Sequence, residues 1–188
     1  GLLWIWPEPA AQSAAIAQAT PVPEQPDHTK RGPWFIRDLP VRFDTLVENV
    51  VDPSHVPFAH HGIQGNRNKV TPNVAMELQS MSAEGFHLNR EFSIRGMKRL
   101  FNIEFSAPSS VQYYTVKGFP FLNLLVTPTK PGWSRFFASF PTDVPGFPAP
   151  IRLIMRLKAA MPWATALDHA LERNAVLDGD TYMLHVAE

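Results

Sequence analysis

The chain has 188 residues, of which 45% are hydrophobic and 18% are charged, so it can bury one sizeable core as a single domain. Its 17 basic and 17 acidic side chains give a formal net charge of zero, which leaves no overall field to recruit nucleic acid or an anionic membrane. The absence of cysteine excludes disulfides, zinc–thiolate sites and an iron–sulfur cluster within this chain. We therefore expect one folded domain with no nucleic-acid partner, and any other partner must be inferred from local motifs.

The first 33 residues divide into an apolar stretch and a proline-rich stretch. Residues 1–7, GLLWIWP, predict an apolar strand. Residues 8–33 place prolines among alanine, glutamine and aspartate without a sustained period, which is typical of a linker. A short helix over Ala10–Ala19 is compatible with this linker.

A strand over Trp34–Leu39 leads into a predicted helix over Asp44–Asp52. The spacing i, i+3, i+4, i+7 and i+8 defines one apolar stripe on that helix, at Phe43, Leu46, Val47, Val50 and Val51. Thr45 and Glu48 have the spacing of a capping box, which predicts the start of the helix. Pro53 and Pro57 disturb its end.

Polar side chains follow where the apolar stripe ends. Asn49, Asp52 and His55 are spaced i, i+3 and i+6, and His60 follows His55 by five residues. Five residues correspond to about 140° around a regular helix, so both imidazoles converge only if the helix unwinds or bulges between them, where Pro57 lies. Two imidazoles with a carboxylate from elsewhere would form a facial triad for non-haem Fe(II). The alternative is that both histidines are hydrogen-bonded within a core or at a helix end.

Short, often alternating apolar segments separated by turn residues follow, and they predict an antiparallel sheet with one covered face. The predicted strands are Val74–Leu78, Phe86–Phe92, Phe101–Phe105, Val111–Val116, Phe121–Val126 and Arg135–Phe140. A helix over Ile151–Asn174 then carries apolar and basic residues; it either lies on a membrane surface or, as we expect, packs on the sheet. No apolar run approaches the roughly 20 residues of a membrane-spanning helix. The fold class predicted from this order is α+β, an antiparallel sheet with flanking helices.

Two stretches resemble one protein family. Residues 48–62, ENVVDPSHVPFAHHG, contain N-x-x-D-x-x-H-x-x-x-x-H and resemble the mononuclear-iron motif of Rieske-type aromatic-ring oxygenases. Within it, the sequence DPSHVPFAHH is most similar to the branch that contains pheophorbide a oxygenase and the chloroplast translocon Rieske proteins. Residues 169–188, HALERNAVLDGDTYMLHVAE, are similar to the same branch.

The resemblance implies a START-like helix-grip catalytic domain over residues 34–188. Residues 1–7 would be the closing strand of a truncated Rieske domain, residues 8–33 the linker, and the Rieske [2Fe-2S] cluster would belong to the missing N-terminal region. His55, His60 and Asp180 would bind mononuclear Fe(II). Asp178 is the nearest competitor of Asp180, but on a helix the two are about 200° apart and cannot both face the iron.

The resemblance also assigns roles around the iron. Asp52 matches the aspartate that bridges to a cluster histidine of a neighbouring subunit, so it implies a homo-oligomer, a trimer in the intact protein, with a ferredoxin-type electron donor. Asn49 would support a ligand or line the approach to iron. His61 is not expected to be a ligand.

The implied function is an oxygenase that acts on a chlorophyll-derived tetrapyrrole such as pheophorbide a, in chlorophyll catabolism, and that is inactive without its cluster domain. The location implied is a chloroplast envelope or thylakoid membrane, or a cyanobacterial membrane. A redox component of a plastid protein-import complex and a non-catalytic helix-grip module for pigment or lipid are the alternatives. Aromatic side chains would either line an apolar cavity or fill the core: Phe86, Phe92, Phe101, Phe105, Tyr113, Phe121, Phe136 and Phe140.

Overall fold

The computed structural model describes residues 3–5, 8, 11–20, 22, 31–69, 76–94, 97–115, 117–145 and 148–187. Within these residues seven strands form one antiparallel sheet, in the order β1-β7-β6-β5-β4-β3-β2. The strands are β1 (Phe35–Leu39), β2 (Met76–Ser82), β3 (Gly85–Ile94), β4 (Met97–Ser106), β5 (Ser110–Thr115), β6 (Pro120–Lys130) and β7 (Trp133–Ser139). Every predicted strand from residue 34 onward overlaps an observed one, and the predicted antiparallel sheet with flanking helices is confirmed.

Helices precede the sheet, interrupt it after β1 and follow it. They are α1 (Ala11–Ala19), α2 (Phe43–Val51), α3 (Val56–Ala59), a 3-10 turn (Arg67–Lys69), α4 (Ala149–Ala160), α5 (Pro162–Asp168), a π-helical turn (His169–Arg173) and α6 (Asn174–Ala187). No helix among these residues is long and apolar enough to cross a membrane.

The core lies between one face of the sheet and the helices α2 and α6. Because side chains alternate along a strand, every second residue of the central strands is buried on this face. Val41, which precedes α2, Leu46 and Val50 of α2 and Leu177 of α6 complete the cluster. Its sheet members are Phe35, Leu39, Ile103, Val111, Leu124, Val126, Phe136 and Ala138. Of the aromatic residues that the sequence offered as cavity lining, half pack in this cluster or against it: Phe105, Tyr113, Phe136 and Phe140. The side chain of Phe92 lies outside the described part.

Helix α2 begins earlier than its sequence predicted. Arg42 is the N-cap residue, with extended backbone and no side-chain cap hydrogen bond, and Phe43 is the first helical residue. Asp44 lies in the first turn, where a carboxylate interacts favourably with the helix dipole. The prediction of a capping box at Thr45 and Glu48 is therefore wrong, because Thr45 already lies inside the helix.

The single helix predicted over Ile151–Asn174 is also wrong. Met161 adopts an extended conformation, with φ −109° and ψ 106°, and Pro162 begins α5. Proline lacks the amide hydrogen of a continuous helix and its ring collides with the preceding turn, so α4 ends there. From Pro162 the helical path continues through the π-helical turn to Ala187, well beyond the predicted end.

The N-terminal segment is described only in part. Helix α1 agrees with the short helix compatible with the linker. Leu3–Ile5 are not in a strand, and the remaining residues of the 1–7 segment lie outside the described ones. The assignment of residues 1–7 to a closing Rieske strand, like the linker at residues 8–33, stays a prediction.

Leu46 provides a test of the core. Its side chain is fully buried between α2 and the sheet, so Leu46→Ala should lower the free energy of unfolding by about 2–5 kcal/mol. Ile36 on β1 is 53% exposed, so Ile36→Ala should change the free energy of unfolding by no more than about 0.5 kcal/mol. Urea denaturation of both variants measures the difference; equal effects would contradict this packing.

Candidate metal centre

The two histidines lie at the two ends of one short helix. Helix α2 ends at Val51, and Asp52 is extended, with φ −99° and ψ 98°. His55 is then the N-cap residue of α3 and His60 its C-cap residue. The predicted break between the histidines is therefore misplaced: the chain leaves the helical path at Asp52, before His55, because Pro53 follows it.

This geometry brings together the three residues proposed as iron ligands. The Nε2 atoms of His55 and His60 are 3.2 Å apart. Asp180 Oδ1 lies 3.3 Å from Nε2 of His55 and 3.3 Å from Nε2 of His60. One metal ion at about 2.0–2.2 Å from each atom requires separations of about 3–4 Å. The observed distances meet this requirement, although His55 and Asp180 are far apart in sequence.

The orientation of His55 is fixed by the main chain. Its Nδ1 contacts the carbonyl oxygen of Asp52 at hydrogen-bonding distance. A carbonyl can only accept, so Nδ1 carries the hydrogen and Nε2 of the neutral ring keeps its lone pair. Because Nε2 faces His60 and Asp180, this tautomer presents a metal-binding atom to the centre of the site.

Both imidazoles are held in the neutral form. Burial lowers the pKa of His60 to about 4, and the neighbouring His55 adds to this effect. Burial also lowers the pKa of His55, against the opposing influence of the Asp52 carbonyl. Nδ1 of His60 is buried and has no hydrogen-bond partner among the described residues. The backbone carbonyls of Ala59 and Val176 lie close enough to raise the pKa of His60, against the larger effect of burial.

Asp180 is a buried carboxylate on α6. Only 4% of its surface is exposed, and burial raises its pKa to about 7. A hydrogen bond from the Asn49 side chain opposes this rise by stabilising the ionised form. Apart from the two imidazoles that it faces, Oδ1 has no hydrogen-bond partner among the described residues. Asn49 thus supports the carboxylate, one of the two roles expected for it.

Asp178, the competing aspartate, points away from the histidines. Its carboxylate contacts Nη2 of Arg37, and its side chain is 63% exposed. Asp178 and Asp180 therefore lie on different sides of α6, as their helical spacing predicted.

Asp52 and His61 lie beside the site, outside the ligand triangle. The carboxylate of Asp52 accepts a hydrogen bond from the Ser54 amide at 2.8 Å, and its side chain is 47% exposed. Arg90 on β3, only 5% exposed, approaches the same carboxylate at 3.9 Å. His61 accepts a hydrogen bond from the amide of Arg67 at 3.2 Å. Asp52 orients His55 through its carbonyl; the bridging role of its carboxylate stays a prediction.

Two residues that contact the elements carrying the site were missed by the sequence analysis. Gly179 packs so closely on α3 that a Cβ atom would lie 2.2 Å from the carbonyl oxygen of Ala59. Arg37 lies between Phe35 and Leu39 on the same face of β1, and it contacts α6. An arginine at an inward position of an apolar strand is a visible signal, whereas the environment of Gly179 depends on contacts across the fold.

The donor set fits a divalent metal such as Fe(II). Three acceptor atoms face one point, two of them on buried side chains, and such a group is unfavourable unless a cation or proton lies among them. Two imidazoles and one carboxylate are the ligand set of mononuclear non-haem iron sites, which leave coordination positions open. The seven-stranded antiparallel sheet and α6, whose Leu177 packs into the sheet's core, define a helix-grip domain. Its site makes the chain a candidate metalloprotein.

Comparison with known proteins finds a family model and relatives that match part of the chain. The family model described as pheophorbide a oxygenase matches residues 102–188, a range that includes Asp180 but neither histidine. The chloroplastic pheophorbide a oxygenase of Oryza sativa subsp. japonica is 38% identical over 88 residues, which cover 46% of this chain and 16% of that protein. The chloroplastic flavonoid 8-hydroxylase 2 of Ocimum basilicum is 24% identical over 219 residues, covering 100% of this chain and 38% of that protein.

A third relative is the chloroplastic protochlorophyllide-dependent translocon component 52 of Arabidopsis thaliana, 37% identical over 67 residues, which cover 33% of this chain and 12% of that protein. The chain therefore spans well under half the length of these relatives. It is similar to pheophorbide a oxygenase and to a chloroplast translocon component, which confirms the resemblance to that branch of Rieske-type oxygenases found in its motifs. All these relatives are chloroplastic, which supports the chloroplast location.

Solved structures resemble the chain at low sequence identity. Dicamba monooxygenase bound to 3,6-dichlorosalicylic acid has a TM-score of 0.49 at 14% identity, covering 78% of this chain and 51% of that chain. A START superfamily protein from Mycobacterium smegmatis has a TM-score of 0.48 at 10% identity, covering 84% of this chain and 99% of that chain. The fold assignment rests on the sheet and helices described above.

Proposed function

We propose that the chain is the catalytic part of an oxygenase that uses one Fe(II), held by His55, His60 and Asp180, to oxidise a chlorophyll-derived tetrapyrrole such as pheophorbide a. The observation that carries this proposal is the triangle of three acceptor atoms separated by 3.2–3.3 Å. Bound iron would supply the position at which dioxygen is activated. As a monooxygenation, the reaction places one oxygen atom in the product and releases the other as water, which consumes two electrons and two protons.

The protein groups hold the ligands and exclude water. The carbonyl of Asp52 orients His55, and Asn49 stabilises the ionised carboxylate of Asp180. The side chains of His60 and Asp180 are 3% and 6% exposed, whereas that of His55 is 16% exposed. Solvent and reactants therefore approach the site from the side of His55.

The sheet beside the site supports a hydrophobic substrate. Residues directly opposite each other in a strand pair project from the same face, and Met76, Leu78 and Met81 of β2 pair with Arg90, Leu88 and Phe86 of β3. The three β2 side chains are 46%, 53% and 74% exposed. Because Arg90 reaches Asp52 from this face, the apolar side chains border the site and suit a flat apolar ligand.

The electrons would come from a Rieske [2Fe-2S] cluster outside this chain, reduced by a ferredoxin-type donor. Asp52 is half exposed next to His55, so its carboxylate is available to a cluster of a neighbouring subunit in a homo-oligomer, which we propose to be a trimer. Within the chloroplast, the proposed place is the envelope or thylakoid membrane.

The full-length protein, with its cluster assembled, tests the function. With Fe(II), pheophorbide a and reduced ferredoxin under ¹⁸O₂, mass spectrometry should detect one labelled oxygen atom in the product. Asp180→Ala should form none. A second candidate, a redox component of protein import, is favoured by the Arabidopsis match; iron binding without turnover of any chlorophyll derivative would support it instead. A wild-type protein that holds the cluster but binds no mononuclear iron would overturn both the metal centre and the oxygenase.

A further inference from the structure

Arg37 joins the edge strand β1 to the beginning of α6. Its Nη1 donates to the carbonyl oxygen of Asn174 at 2.9 Å and lies 3.4 Å from the side-chain oxygen of the same residue. Its Nη2 donates to the carboxylate of Asp178, one helical turn further on. The guanidinium thus contacts two successive turns of α6, and it can hold both the axial position and the rotation of the helix.

The rotation of α6 decides which aspartate faces the histidines. Asp178 and Asp180 are about 200° apart around the helix, so a half-turn of α6 would exchange their positions. The π-helical turn His169–Arg173 comes immediately before α6. An inserted residue of this kind shifts the helical phase, so the packing of α5 does not by itself fix the rotation of α6.

We propose that Arg37 is a positioning residue of the metal centre: it anchors the first turns of α6 and holds Asp178 outward, so that Asp180 is presented to His55 and His60. This inference rests on the proposed function, since it assumes that the three residues bind a metal ion. Arg37 itself touches neither the ligand atoms nor the position of the metal. Its effect is carried by the backbone of α6 over the seven residues from Asn174 to Asp180.

The neighbouring strand offers a matched control. Arg135 of β7 forms an equally well-made ion pair with Asp38 of β1, with distances of 2.6 and 2.8 Å. Asp38 and Arg135 are directly opposite in the β1–β7 pair, and Arg37, the residue before Asp38, lies on the other face of the strand. Arg135→Met therefore removes a bidentate arginine pair that also involves β1 but that does not include a residue of α6.

The test is Co(II) binding to the full-length protein, followed by the difference in visible absorption between the Co(II)-loaded and the Co(II)-free protein, in which the absorption of the cluster cancels and that of the bound ion reports its ligands. Arg37→Met should weaken the binding at this centre about tenfold and change the spectrum, as for other residues that orient metal ligands. Arg135→Met should retain the wild-type affinity and spectrum. Arg37→Lys, which keeps a donor of similar reach, should recover part of the affinity and remains informative if Arg37→Met does not fold.

The outcomes separate this inference from the proposed function. If Asp180→Asn abolishes binding while both Arg37 variants bind Co(II) with the wild-type affinity and spectrum, Arg37 is only a structural contact and the inference is wrong. If the wild-type protein binds no Co(II), or if Asp180→Asn binds it normally, the metal centre itself is wrong, and the positioning role fails with it.

Discussion

Asp180→Ala in the full-length protein should abolish retention of the mononuclear iron. Substitutions of residues that only orient a ligand typically cost 10–100-fold in metal affinity, so loss of a ligand should cost more than about 100-fold. The iron of the proposed Rieske cluster should remain, because this chain contains no cysteine that could hold that cluster. Metal analysis combined with the absorption of the cluster measures the two populations separately.

Asp178→Asn is the matched control, since it changes the other aspartate of the same helix. Asp178 is 63% exposed and bound to Arg37. Exposed ion pairs contribute about 0–1 kcal/mol, so this variant should lose no more than about fivefold in affinity. Loss of iron in Asp178→Asn with retention in Asp180→Ala would reverse the assignment of the two residues.

The isosteric change Asp180→Asn adds a second readout. In the metal-free protein Asp180 is a buried carboxylate, and ionising it there is unfavourable, as its raised pKa of about 7 indicates. An amide removes this penalty, so the metal-free variant should unfold at the same temperature as the wild type or at a higher one, although it binds no iron. A lower unfolding temperature together with the loss of iron binding would instead indicate damage to the fold.

The local periodicity of the sequence predicted much of this fold. Alternation and turn residues located the strands, and the apolar stripe from Phe43 to Val51 located α2, because burial on one face leaves a repeating pattern. The motif around His55 and His60, with the similarity near Asp180, identified the residues that the structure brings together. Their identity as iron ligands stays a prediction until metal is measured.

The errors fall where a boundary depends on competing local signals. The spacing of Thr45 and Glu48 matches a capping box, but the helix begins two residues earlier, where Arg42 and Asp44 form an ion pair of 2.8 Å. Pro162 marked the end of α4, and the sequence analysis overlooked it. The contacts that position the carboxylate, from Arg37, Asn49 and Ala59, join residues more than 100 positions apart, so no local pattern encodes them.

Gly179 sets the distance between α6 and the helix that carries the histidines. It directly precedes Asp180, and a Cβ atom there would lie 2.2 Å from the carbonyl oxygen of Ala59 and 3.7 Å from Nδ1 of His60. Ordinary contacts between heavy atoms are about 3.5–4.0 Å, so in Gly179→Ala the helix α6 has to move away from α3 by roughly 1 Å. The Ala59 atom at this contact is a backbone carbonyl oxygen within α3, so it cannot move aside as a flexible side chain could.

Gly179→Ala should therefore weaken both the fold and the metal centre. Overpacking of this kind costs about 1–3 kcal/mol, and the better helix propensity of alanine offsets no more than about 1 kcal/mol of it. Because Asp180 moves with the helix, its carboxylate leaves the point where the two imidazoles converge, and metal affinity should fall at least about tenfold. Thermal unfolding of the metal-free protein and Co(II) titration measure the two effects.

Gly32→Ala is the control for adding a methyl group to the backbone. The nearest atom to its Cβ would be the carbonyl oxygen of Phe140 at 3.7 Å, an ordinary contact, and the Gly32 amide keeps its hydrogen bond of 2.9 Å to that oxygen. This variant should keep wild-type metal affinity and change stability by less than about 1 kcal/mol. Gly179→Ala could instead match Gly32→Ala in both unfolding temperature and Co(II) affinity. The site would then tolerate a displaced α6, and the close approach of α6 to Ala59 would not be what brings Asp180 to the histidines.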